Sequence, residues 1–360
     1  MFLPKLQIGD LIAKIPIIQG GMGIGVSLSS LAAAVANEGG IGIISGVQTG
    51  FNEPDFRSNN LLANIRGIQK EIRRARSLSP KGIIGINILT AANHYKELVE
   101  TAVKEKIDII ISGAGLPKEL PLYVKGTDTK IIPIVSSGKA AKVITKLWTR
   151  NYDYVPDAII VEGAQAGGHL GFTKEELVSN SSKNLIEILK EVINEINPFE
   201  KKYNKKIPVI AAGGIYSGKD IMECMNNGAT GVQMSTRFVA THECDADIKY
   251  KEAYIKCKDE DVRIVDSPVG LPGRAIANSF TKIIENNKLP ITKCYRCLHG
   301  CDPRIAPYCI SDALINAVRG KVEEGLIFCG SNAYKLESIL SVKELMQILL
   351  KEVEESEISR

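Results

Sequence analysis

Short apolar runs alternate along this chain with longer stretches in which apolar residues recur every three or four positions. The runs 15–19, 42–44, 83–88, 107–111, 131–135, 158–161, 208–212 and 231–234 are rich in Ile and Val. They show little polar alternation, which is the pattern of parallel strands covered on both faces. Between them, 29–37, 61–78, 94–105, 140–149 and 184–197 carry the helical period. Ser29 opens the first of these helices, and Gly39 and Gly40 close it. Eight strand-then-helix units between residues 15 and 234 predict an α/β fold, a (β/α)8 TIM barrel rather than a doubly wound open sheet. Polar or glycine-rich residues stand at nearly every strand's carboxyl end: Gln19, Asn87, Ser112, Ser136, Glu162, Gly213 and Ser235. That placement is expected when all the loops face one site.

Past residue 245 the pattern changes. A charged helix at 247–258 leads to an extended piece at 262–269, and the Pro- and Gly-rich stretch 267–280 turns into another helix. A cysteine group and a last amphipathic helix, 342–353, follow. No low-complexity linker intervenes, so residues 1–245 read as the barrel and 246–360 as a helical, cysteine-containing lid packed on it. With 45 Lys and Arg against 41 Asp and Glu, the net charge of +4 is spread without a basic block. Nucleic acid and anionic membrane are therefore not expected partners, and a small molecule is. No apolar run is long enough to span a bilayer and the opening residues lack a secretory pattern, so a cytoplasmic location is expected. Composition leaves monomer and homodimer equally open.

Candidate chemistry concentrates in DAIIVEGAQAGGHLGF, residues 157–172. A buried-type strand ends in an acid and gives way to a loop with Gly163, Gly167, Gly168 and Gly171 around His169. Glycines there let backbone turn sharply or approach a flat ligand closely. An imidazole titrates near neutral pH and can take a proton from a carbon acid or hydrogen-bond a cofactor. The plainer alternative is a packing histidine; the glycine-flanked strand end favours the functional one. Two further strand ends, Gly213-Gly214 and Ser235-Thr236, supply free amides and hydroxyls suited to a phosphate. Arg237 either adds charge to that phosphate or pairs with a neighbouring acid. Cys294, Cys297, Cys301 and Cys309 have the spacing C-x2-C-x3-C-x7-C, which resembles metal or iron–sulfur ligation. Only one close pair is present and unligated thiols pack as small hydrophobes, so no metal ligands are assigned. All eight cysteines are expected as thiols in a chain too large to need disulfides.

Six ordered motifs resemble those of the nitronate monooxygenase family, formerly 2-nitropropane dioxygenases. They are IPIIQGGMG at 15–23, GINIL at 85–89, SGAG at 112–115, EGAQAGGHLG at 162–171, PVIAAGGI at 208–215 and VQMSTRF at 232–238. The resemblance implies an FMN-dependent barrel enzyme that oxidises alkyl nitronates with O2 to carbonyl compounds and nitrite. It extends to the FMN type of enoyl-acyl-carrier-protein reductase, which uses NAD(P)H, and to NADH:quinone reductases. A barrel that only binds a phosphorylated ligand, or a flavin-carrying scaffold, is the non-enzyme alternative. Carried over by position, His169 is the active-site histidine. Gly21 and Met22 lie along the isoalloxazine, Asn87 hydrogen-bonds it, and Gly168, Gly213, Gly214, Ser235 and Thr236 line the ribityl and phosphate path. Gln165 stands where many relatives have glutamate and is expected to bear on substrate preference, while Ser235 replaces a common glycine.

Overall fold

Ile and Val fill the short parallel runs because their branched side chains pack well on a pleated surface buried on both sides. In the computed structural model, which describes residues 3–358, an antiparallel hairpin, β1 (Leu6–Ile8) and β2 (Leu11–Ala13), comes first. Then follow β3 (Ile17–Gln19), β4 (Ile41–Ser45), β5 (Ile83–Asn87), β6 (Ile109–Ser112), β7 (Lys130–Val135) and β8 (Ile159–Glu162). A two-residue strand, β9 (Gly168–His169), precedes β10 (Val209–Ala212) and β11 (Gly231–Met234). β3 to β8, β10 and β11 are parallel and close on themselves in the order β10-β11-β3-β4-β5-β6-β7-β8. The result is the (β/α)8 barrel expected from the alternation.

Side chains of alternate residues divide into two cores. Ile18, Ile41, Ile43, Ile109, Ile111, Ile132, Ile160 and Ile210 fill the barrel interior, while Ile17, Ile44, Ile84, Ile110, Ile131, Val161 and Val232 face the surrounding helices. Each such fully buried isoleucine stabilises the fold by roughly 2 kcal/mol over its exposed state. The hairpin was not expected from the sequence, and its role is to plug the barrel. Leu6, Ile8 and Ala13 join the interior core, and a Cβ on Gly231, at the start of β11, would lie 3.1 Å from Leu6. Because the amino-terminal end is stoppered in this way, ligands have access from the carboxyl ends of the strands.

The helical ring comprises Ser29–Asn37, Asn60–Leu78, Tyr95–Lys104, the short Leu120–Tyr123, Gly138–Tyr152, Leu185–Tyr203 and Gly218–Asn226. Gly42 is obligatory in β4, since a side chain there would overlap the Ala32 carbonyl of the first helix. Leu185–Tyr203 runs past the expected end at 197 and through Pro198, because its apolar stripe continues into Phe199 and Tyr203, which pack on the core. β11 is followed only by the one-turn helix Thr236–Val239. The eighth place in the ring is taken by Val342–Ile358, which packs on Gly218–Asn226 on one side and on Ser29–Asn37 on the other. Between these two lie the helices Ile248–Lys256, Ser279–Asn286 and Ile310–Val318 and two strands, β12 (Val262–Val265) and β13 (Gly273–Ile276). Among the described residues no helix is long and apolar enough to cross a membrane.

Candidate functional site

Strand alternation decides what faces the open end of the barrel. Ile43 and Ile160 point inward, so Ser45 and Glu162, two residues on, point inward as well; Asn87 and Gln233 follow Gly85 and Gly231 in the same way. The barrel is therefore polar at its mouth and apolar below. Asn87 and Gln233 are each only 8% exposed, and Gln233 Oε1 is buried with no partner. The Asn87 amide and the Glu162 carboxyl make no side-chain hydrogen bond among the described residues. Burial pushes Glu162 up to about 7. A polar group left buried and unpaired costs roughly 1–3 kcal/mol. The buried, unpaired Gln233 Oε1, beside Asn87 and Glu162 side chains that bond to no other side chain, argues for a ligand that supplies partners.

His169 reaches this mouth from β9, and the lid region holds it there. β13 pairs antiparallel with β9, Gly273 opposite His169 and Arg274 opposite Gly168, and β12 lies on the outer side of β13. The Leu170 amide donates to the Pro272 carbonyl at 2.9 Å. The buried Arg274 guanidinium donates to the Ala164 and Ala166 carbonyls, fixing the turn before the histidine. The sequence shows no strand at 273–276 or at 168–169, because GRAI carries a glycine and an arginine and GH lies inside a glycine loop, so neither is an apolar run. His169 Nε2 lies 2.7 Å from Ser267 Oγ, and its ring meets Phe328 edge to face with centroids 4.9 Å apart. Nδ1 has no protein partner among the described residues. Burial pushes the imidazole down to about 4, so it is neutral at pH 7.

Gly213 and Gly214 follow β10, next to the start of the histidine loop, with φ of +96° and +83°, a left-handed conformation that favours glycine. The missing Cβ of Gly214 leaves room for the Gln165 amide oxygen, so Gln165 sits over this glycine pair. Ser235 turns back toward the first glycine loop, its hydroxyl 2.7 Å from where a Cβ on Gly20 would be. Thr236 Oγ1 accepts a hydrogen bond from the Gly330 amide at 3.3 Å. Arg237 faces the other way. It donates to the Tyr216 carbonyl at 3.1 Å, stacks on the Tyr216 ring and lies 3.9 Å from Glu352, leaving the glycine pair without its charge. Gly21 abuts Asn87, a Cβ there being 2.6 Å from that of Asn87, and the Met22 amide is taken by Ser27 Oγ at 2.9 Å.

All nine residues singled out from the sequence, from Gly21 to Thr236 and including Gly168 and His169, line one cavity of about 850 Å³. That size falls within the range of small-molecule and cofactor sites. Sequence reasoning left out Glu162, Gln233, Ser267 and Phe328. The first two were legible as strand-end polar residues, whereas nothing local marks Ser267 or Phe328, which arrive through long-range strand pairing. The cavity fits a flat ring with a polar edge and a phosphate tail. Unpaired polar groups line the barrel mouth, and glycines stand where side chains would close the two ends. All eight cysteines are free thiols. Among the described residues no group of three or more His, Cys, Asp or Glu side chains converges to hold a metal ion.

Comparison with known proteins decides the ancestry. The model of a family described as nitronate monooxygenase matches residues 6–352. The chain belongs to the nitronate monooxygenase family. A probable nitronate monooxygenase of Staphylococcus saprophyticus is 26% identical over 344 residues, covering 86% of this chain and 85% of that protein. A (3aS,4S,5R,7aS)-5-hydroxy-7a-methyl-1-oxo-octahydro-1H-indene-4-carboxyl-CoA dehydrogenase of Rhodococcus jostii is 25% identical over 272 residues. That match covers 76% of this chain and 65% of the relative, just under two thirds of its length. Among solved structures, FabK from Thermotoga maritima is 28% identical with a TM-score of 0.74, covering 96% of this chain and 95% of that one. A nitroalkane oxidase from Streptomyces ansochromogenes, 21% identical with a TM-score of 0.72 over 96% of this chain and 98% of its own, shares the fold. Family membership makes the chain a flavin-dependent oxidoreductase.

Proposed function

We propose that the chain binds FMN in this cavity and oxidises alkyl nitronates with O2, releasing a carbonyl compound and nitrite. The observation that carries the reading is a neutral imidazole and an uncharged glycine pair lining one cavity whose wall also holds the unpaired Gln233 Oε1. Gln233, Asn87 and Glu162 would meet the polar edge of the ring system, and Gly213, Gly214 and Thr236 its phosphate. FMN would supply the electron-accepting capacity and the path to O2.

The protein's own part is orientation and proton handling. A nitronate is already a carbanion equivalent, so no strong base is needed. His169, neutral and held through Nε2 by Ser267, lines the cavity with Nδ1 left to hydrogen-bond the substrate or move a proton. A neutral nitroalkane would demand more, since an imidazole so reluctant to protonate is a weak base toward an α-proton. Phe328 and the strands of the lid shield that face from water. In this reading the loops at the carboxyl ends of the barrel strands hold the cofactor, and the region between β11 and the last helix, Val342–Ile358, covers the substrate.

The resemblance of the six motifs to the FMN type of enoyl-acyl-carrier-protein reductase supports a second reading, transfer of hydride from NAD(P)H to a conjugated enoyl thioester. Nitrite release separates the two. Purified protein given propionate 3-nitronate and O2 is expected to release nitrite without NAD(P)H. His169→Ala should keep bound FMN and lower turnover by about 10²-fold, the scale of a lost acid–base group. Equal nitrite turnover in the variant would remove the role given to His169.

A further inference from the structure

We propose that the segment 330–332, far outside the barrel strands in sequence, is the third wall of the phosphate site and that the Ser331 hydroxyl is a ligand to the phosphate monoester. The assignment rests on the FMN reading and names a residue that no motif of that reading contains. Three consecutive residues clasp the glycine end of the cavity. The Gly330 amide donates to Thr236 Oγ1 at 3.3 Å, the Ser331 amide to the Gln165 carbonyl at 3.1 Å, and Asn332 Nδ2 to the Gly214 carbonyl at 2.7 Å. Ser331 is thereby fixed between residues bound to Thr236 and to Gly214, and it lines the same cavity.

Its hydroxyl is the unexplained part. Ser331 Oγ is buried and has no hydrogen-bond partner. Serine can turn its hydroxyl hydrogen toward whichever acceptor is near, so an unpaired buried one is an unmet donor. The Thr236 hydroxyl, which accepts from Gly330 and lines the same cavity, keeps its own hydrogen to donate. The only guanidinium nearby in sequence, Arg237, is turned away to Tyr216 and Glu352. Lys183, which also lines the cavity, pairs with Glu191, so hydroxyl and amide donors at the glycine end carry weight as charge-assisted bonds to a phosphate dianion. Glycine at 330 is required for the approach, because a Cβ there would lie 2.6 Å from Thr236 Oγ1. The strand-like run before the clasp is anchored too: Ile276 donates to the Ile327 carbonyl and Cys329 to the Arg274 carbonyl, both close to 3 Å.

The test compares FMN with riboflavin, which differ only in the phosphate, by fluorescence titration of the apoprotein. Ser331→Ala is expected to weaken FMN binding about tenfold, the scale of one hydrogen bond to a charged group, and to leave riboflavin binding unchanged. Asn332→Asp, which sets a carboxylate beside Gly214, should weaken FMN further and riboflavin little. A Ser331→Ala protein that binds FMN as tightly as the wild type, or loses FMN and riboflavin alike, overturns the assignment. A wild-type protein that binds neither flavin removes the FMN reading itself, and this assignment with it.

Discussion

Two residues at the barrel mouth carry opposite electrostatic consequences of burial. Glu162 is pushed up to about 7 from an ordinary 4.5, and His169 down to about 4 from an ordinary 6.5. Between pH 4.5 and 7 the folded apoprotein holds a proton on Glu162 that the unfolded chain has released, so this group makes stability fall as pH rises. For His169 the sign is reversed: between pH 4 and 6.5 the unfolded chain takes up a proton that the folded form refuses, and stability rises with pH. Glu162→Gln should therefore stabilise the apoprotein above pH 7 by on the order of 2 kcal/mol, an advantage that fades below pH 5. Thermal unfolding of both proteins across that range checks it. An advantage independent of pH would show that Glu162 is not the buried acid described. The same pair of values predicts that His169 adds no inflection to the activity profile between pH 5 and 8.

At the scale of elements, what matters is the joint between the histidine loop and the three-stranded sheet. β9 has no hydrogen-bonding neighbour in the barrel; its partner is β13 alone, and Arg274 on that strand ties down two carbonyls of the preceding turn. Arg274→Ala would leave the Ala164 and Ala166 carbonyls unpaired. A destabilisation of roughly 2–4 kcal/mol is expected, with faster proteolysis in 163–171 and a loss of turnover at retained FMN affinity. Unchanged proteolysis and turnover would detach the sheet from the function. These contacts explain where the sequence was legible and where it was not. Long apolar runs such as 83–88 and 131–135 declare buried strands because every residue needs cover. The turn 267–280 shows only Pro and Gly; its extended piece pairs on one edge with the nearby β12 and on the other with β9, about a hundred positions earlier. No local period could reveal that pairing, or that Ser267 would meet His169.

The whole molecule is a barrel closed from below by its own amino-terminal hairpin and covered above by what lies between β11 and the last helix. The isoleucine interior leaves no room for a ligand at depth, so chemistry is confined to the strand ends, where the nine residues chosen from the motifs share one cavity. Strand-end position and glycine spacing made that half of the site readable. The other half, Ser267, Phe328 and 330–332, is contributed by the region after β11, where the helix at 247–258, the extended piece at 262–269 and the final helix at 342–353 were apparent but the strand pairing was not. There the sequence suggested a cover and could not say which of its residues turn inward. The central claim is that this cavity holds a flavin which a nitronate reduces directly. Anaerobic titration of the flavin-loaded protein with propionate 3-nitronate, NADH and NADPH, followed by flavin absorbance, tests it. Bleaching by the nitronate alone is the predicted result; rapid bleaching by NADH or NADPH with no response to the nitronate would contradict it.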